Sequence, residues 1–131
     1  MAFLLDTNIC SAHLRRPGGL MHRFVQYSGR LYVPTIVVGK LFTWAYLKPD
    51  PTGFISRIEN DLLRDLKVLD FDQESAEEFG RSRATMLKQG LDASRIDLMI
   101  GCVAKVHGLT LVTNNFIDFK NIPDLQIVDW L

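Results

Sequence analysis

Short apolar runs alternate with segments of helical periodicity along the whole chain, and that alternation constrains the fold more than any other feature. The runs are Phe3-Leu4-Leu5, Leu31-Tyr32-Val33, Val68-Leu69 with Phe71, Leu109 to Val112, and a closing Gln126-Ile127-Val128. These short runs read as strands of a parallel sheet, with Phe3 to Leu5 expected to be buried on both faces and Leu109 to Val112 also buried. Helical patterns lie between them, over Thr7 to Leu14, Leu20 to Tyr27, Ile36 to Leu47, Phe54 to Leu66, Gln73 to Gln89, and Ser94 to His107. The alternation predicts an α/β fold: a central parallel sheet of four to five strands with right-handed crossovers and helices on both faces. The 131 residues show no repeat and no flexible linker, so residues 1–131 are expected to form a single domain.

Polar residues cluster where the apolar runs end. Asp6, Thr7 and Asn8 follow the first run directly, at the carboxyl edge where open α/β sheets place their ligands. Asp6 could equally cap the helix that begins at Thr7. Pro34-Thr35 opens the next apolar helix, with Thr35 as its expected cap and Lys40 as its only charge. A lysine there either snorkels to water along its stem or points into a polar cleft. Ser94 followed three residues later by Asp97 has capping-box spacing, so Asp97 could serve a helix start or face the same cleft as Asp6. Thr113, Asn114 and Asn115 end the fourth run, with Asp118 just beyond.

Charge and cysteine usage narrow the possible functions. Fifteen basic residues balance fifteen acidic ones, so a nucleic-acid site must rest on a local patch or on metal ions. Arg15, Arg16, His22 and Arg23 form the densest basic group, either a solvated face or a set of phosphate ligands. Cys10 and Cys102 belong to no metal-binding spacing, which favours reduced thiols and a cytoplasmic protein. No apolar stretch is long enough to span a membrane, so no membrane association is expected.

If the first and fourth strands are neighbours, Asp6, Asp97, Thr113, Asn115 and Asp118 converge on one edge of the sheet. Carboxylates gathered in one cleft raise each other's pKa unless a cation neutralises them. Oxygen donors without Cys or His favour Mg²⁺ or Mn²⁺ over zinc. Such ions support attack of an activated water on a phosphodiester, with Asn115 placed to position the water or the phosphate. A phospho-receiver domain shares the length and layer order, but it would carry an acidic pair after the first strand where Asp6-Thr7 stands.

Taken together, these segments resemble a PIN domain of the VapC type, the toxin half of bacterial type II toxin–antitoxin pairs. The resemblance runs from Asp6-Thr7-Asn8 through Pro34-Thr35, the Gly90 to Asp97 approach to Leu98-Met99-Ile100, Leu111 to Asn115 and Asp118-Phe119 to Ile127-Val128-Asp129-Trp130. It implies a Mg²⁺- or Mn²⁺-dependent endoribonuclease, an RNA substrate, a cognate antitoxin protein and a homodimer. It assigns Asp6 and Asp97 as metal ligands, with Asp118 as a weaker third. Asn115 and Asp118 fall in the strand-end motif, Asn8 and Thr113 would orient their neighbours, and Arg83 matches a recurrent helix arginine. Trp44, Tyr46 and Phe54 are candidates for the antitoxin surface or for the core.

One position departs from the family pattern. A second acid normally sits in the apolar helix within a Glu-Leu pair, and here that pair reads Lys40-Leu41. An ammonium has three donors and no acceptor, so it cannot ligate a metal. The expectation is that Lys40 pairs with Asp6 and Asp97, takes the cation's place and impairs catalysis. The alternative is a non-catalytic module that keeps RNA or antitoxin binding.

Overall fold

The computed structural model describes residues 1–15 and 19–131; Arg16, part of the basic group, lies outside the described residues. The strand β1 (Phe3–Leu5) is wholly buried, as a run of three large apolar side chains in the middle of a sheet must be. It pairs in parallel with β2 (Leu31–Pro34) on one side and β4 (Thr110–Val112) on the other. Beyond these lie β3 (Lys67–Leu69) and β5 (Ile127–Val128), giving five parallel strands in the order β3-β2-β1-β4-β5.

The chain therefore travels outward from β1 to β3, then crosses back to β4 and β5. Under right-handed crossover, that reversal places the connecting helices on opposite faces. Helices α1 (Thr7–Arg15), α2 (Met21–Gln26), α3 (Thr35–Tyr46) and α4 (Thr52–Arg57) belong to the outward half. Helices α5 (Gln73–Lys88), α6 (Arg95–Val106) and α7 (Phe116–Phe119) belong to the return. The switch of direction falls between β1 and β4, the position where open α/β sheets form a ligand crevice.

Three local expectations are corrected. Thr35 is the first residue of α3 and not its cap: β2 stays paired through Pro34 opposite Leu69, so the extended Pro34 makes the turn. The Ile36–Leu47 segment is not buried all round. Only Val37, Leu41 and Ala45, spaced four apart, lie in the core, while Trp44 is 42% and Tyr46 67% exposed. The Phe54–Leu66 segment is not one helix; α4 gives way to a π-helical turn at Ile58–Leu62 and a 3₁₀ turn at Leu63–Asp65. The apolar spacing survives that change, since Ile58 and Leu62 both remain buried.

The buried face of α1 fixes how this wider turn is held. His13 stacks on Phe24 at 3.9 Å, and its Nε2 lies 3.1 Å from the Asp61 carbonyl in the π-helical turn. Burial lowers the proton affinity of His13, so the ring is kept neutral there. No helix among the described residues is long and apolar enough to cross a membrane.

Candidate active site

Asp6 leaves the end of β1 with its backbone N–H donating to the Val112 carbonyl, so the β1–β4 ladder itself sets its position. The residue is only 3% exposed, and a buried carboxylate needs partners. Its Oδ1 accepts the Thr7 N–H at 2.7 Å, and its Oδ2 accepts the Thr113 hydroxyl at 2.8 Å and the Asn8 amide at 3.2 Å. Asn8 also donates to Thr113 Oγ1 and accepts the Asn114 N–H, while Thr113 Oγ1 accepts the Asn115 N–H. Two strand ends are thus stitched into one rigid wall.

The facing wall is helical. Asp97 sits in the first turn of α6, where the Ser94 hydroxyl caps the helix by accepting the Asp97 N–H at 3.1 Å. The cap is made by Ser94, and the Asp97 carboxylate lines the crevice. A cavity of about 340 Å³ between the walls is lined by Asp6, Asn8, Lys40, Asp97 and Asn115, together with Thr7, Ser11, Arg15 and Trp44. Burial raises the pKa of the Asp97 carboxyl above the usual aspartate value. The Asp6 and Asp118 charges push the same way, while the Ser94 hydrogen bond and the Lys40 ammonium oppose the rise.

Lys40 is half-buried and lines the cavity. Direct pairing with Asp6 or Asp97 is not seen: among the described residues, the ion pairs are Arg81–Glu78, Arg95–Asp92 and Lys105–Glu78. Its charge acts on Asp97 through space. Asp118, exposed on α7, is not among the residues that line the cavity, whereas Asn115 is; the Asp118 charge still reaches Asp97.

Ser11 and Trp44 line the cavity without having been marked for it in the sequence, and Arg15, read there as either a solvated face or a phosphate ligand, lines it too. A signal for Ser11 and Arg15 was present: Thr7, Asn8, Ser11 and Arg15 form a polar stripe at helical spacing on α1, opposite the buried Ile9, Cys10, His13 and Leu14. Trp44 lies one helical turn beyond Lys40 on α3.

An all-parallel α/β domain with paired aspartates at the switch point has the architecture of a nuclease site. The chain belongs to the PIN domain family, whose profile matches residues 3–125. It is 34% identical over 132 residues to Ribonuclease VapC2 of Haemophilus influenzae, covering 100% of this chain and 99% of that protein. It is 32% identical to the tRNA(fMet)-specific endonuclease VapC of Salmonella typhimurium, covering 99% of this chain and 98% of that one. The structure of DNA-bound VapBC from Salmonella typhimurium superposes with a TM-score of 0.91 at 32% identity, covering 100% of this chain and 99% of its counterpart. VapBC2 from Rickettsia felis, bound to a promoter DNA fragment, gives 0.90 at 26% identity, covering 100% of each chain.

PIN-domain VapC ribonucleases are generally dependent on a divalent metal ion. The donors in this chain do not make a complete site for one. Asp6 and Asp97 share the cavity, but among the described residues no three His, Cys, Asp or Glu side chains come together. Asp6 Oδ2 already accepts two hydrogen bonds, which leaves Oδ1, with one, as its freer donor atom for a metal. The position facing them carries an ammonium, which contributes charge but no lone pair.

Proposed function

We propose that this chain is an endoribonuclease toxin of a toxin–antitoxin pair, built on the Mg²⁺- or Mn²⁺-dependent plan of its family and impaired at one ligand position by Lys40. The observation that carries this reading is the convergence of Asp6 and Asp97 on one cavity at the switch point. The relatives are named as ribonucleases and an RNA-specific endonuclease, which supports RNA as the substrate. The similar structures are toxin–antitoxin complexes, which supports a cognate antitoxin as partner. A homodimer in the cytoplasm completes the proposal.

In this scheme Asp6 and Asp97 are the core acids, Asn115 positions the RNA phosphate, and Asn8 and Thr113 hold Asp6 in place. Asp118, in the first turn of α7 and outside the cavity, acts on Asp97 through its charge. Lys40 favours a second reading, a non-catalytic module that retains RNA or antitoxin binding, because its ammonium attracts a phosphate in the same place where it repels a cation.

An RNase assay with Mg²⁺ or Mn²⁺ on the chain, on Lys40→Glu, and on Asp6→Ala in the Lys40→Glu background tests the proposal. We expect weak or no cleavage by the chain, cleavage by Lys40→Glu raised by about two orders of magnitude, a scale within what electrostatic groups contribute to catalysis, and none by the double variant. Full activity in the unaltered chain would show that Lys40 does not impair it. Inactivity of all three with RNA still bound would favour the non-catalytic reading.

A further inference from the structure

The acidic cavity does not end at Trp44. Ser11, Arg15 and Trp44 also line a second, larger groove of about 550 Å³, whose other walls include Lys48, Phe54 and Arg57. The two spaces are therefore one trough with a change of chemistry along it. The first part is lined by two aspartates and two cations, Lys40 and Arg15, whereas the second is lined by three cations, Arg15 among them, and no carboxylate.

The helix α3 lays out that change in regular steps. Lys40 and Trp44 stand four residues apart, and Lys48 follows four residues later just past the helix end. Four residues of α-helix rise about 6 Å, so the three side chains follow one line along the trough. Lys48 Nζ lies 5.0 Å from the Phe54 ring centroid and the Arg57 guanidinium 5.9 Å from it. Those cations are held by the Phe54 ring. Trp44, 42% exposed, offers the open aromatic surface at the junction.

We propose that this basic, aromatic groove is a subsite for the single-stranded RNA flank that adjoins the cleaved or bound phosphate. This rests on the reading of the cavity as an RNA site. An unpaired base stacks on the Trp44 indole, and the neighbouring backbone phosphates lie against Arg15, Lys48 and Arg57. Charge selects the occupant: a polyanion fits a groove with three lining cations and no lining acid. Stacking selects the form, because a base inside a duplex cannot offer its face to a side chain. The change of charge also sets the register. The cavity with Asp6 and Asp97 also holds Lys40 and shares Arg15, so it takes one phosphate beside its carboxylates, while the carboxylate-free groove accepts the next ones.

Fluorescence anisotropy with a labelled eight-nucleotide single-stranded RNA, in EDTA, tests this on the full chain and on Trp44→Ala, Trp44→Phe and the double variant Lys48→Ala/Arg57→Ala. The same titrations are run with a dinucleotide and with a double-stranded RNA of equal length. Trp44→Ala is expected to weaken the octamer about tenfold and the dinucleotide less than twofold, with Trp44→Phe recovering most of the loss. The double variant should flatten the salt dependence of octamer binding by about two charges. Thermal unfolding checks that every variant is folded. Equal octamer affinity for the chain and Trp44→Ala would overturn the subsite while leaving the RNA cleft standing. Preference for the duplex would do the same. Failure of all single-stranded RNA to bind, with no cleavage by Lys40→Glu, would instead remove the RNA reading beneath it.

Discussion

The two walls of the crevice are built in opposite ways. On the strand wall, Asp6, Asn8 and Thr113 share a closed network of hydrogen bonds, and Asp6 and Thr113 are buried. On the helical wall, Lys40 and Asp97 reach the cavity from separate helices and interact with each other through space. The strand wall is a rigid platform whose polar groups satisfy one another. The helical wall carries unneutralised charge, which is costly for folding and useful for binding. A substitution on the first wall should therefore be felt as stability, and one on the second as ligand chemistry.

The largest stability effect expected is at Thr113. Thr113→Val removes the hydroxyl donor of a buried carboxylate and should cost about 2–3 kcal/mol, a fall of roughly 6–12 °C in Tm measured by thermal unfolding. A loss below about 0.5 kcal/mol would mean that the network does not hold Asp6 in place. Asn8→Ala comes next, at about 1 kcal/mol, because Thr7 and Thr113 still serve Asp6 when the Asn8 amide is gone.

Asp97→Asn should have the opposite sign. The folded-state pKa of Asp97 lies above its ordinary value of 3.8, so its ionised form disfavours the fold. The contribution of Asp97 to stability is fully present below that ordinary value and is lost as pH rises through the folded value. Asp97→Asn should therefore stabilise the chain at neutral pH by about 0.5 kcal/mol, reduced by the solvent at this half-exposed position. That advantage should vanish below pH 3.8, as denaturant titrations at several pH values would show. The smallest effect is at Lys40. Lys40→Met should change stability by less than about 0.5 kcal/mol, yet the Asp97 carboxyl should titrate at a higher pH by NMR, since an opposing charge is gone.

The contrast also explains what could be read from the sequence. Asp6, Asn8 and Thr113 sit where apolar runs end, so local pattern put each at a strand's carboxyl edge, and the β1–β4 pairing brings them together. Asp97 was legible through its capping spacing with Ser94. Asp118 lies on the short helix α7, which the sequence pattern did not separate from the strand end, and it is exposed outside the cavity. The π-helical turn at Ile58–Leu62 kept its apolar residues buried, so periodicity carried no sign of it. Trp44 was hidden for a related reason: in an apolar helix, an aromatic facing a groove has the same signature as one facing the core.

The most direct test of the central claim, that the crevice is a cation site missing one acid, is a calorimetric titration of Mn²⁺ into the chain and into Lys40→Glu. Little or no heat of specific binding is expected for the chain, and a saturable site at least tenfold tighter for Lys40→Glu, abolished by Asp6→Ala. Equal Mn²⁺ affinity in the chain and in Lys40→Glu would contradict the claim, because the ammonium would then be no obstacle to the ion.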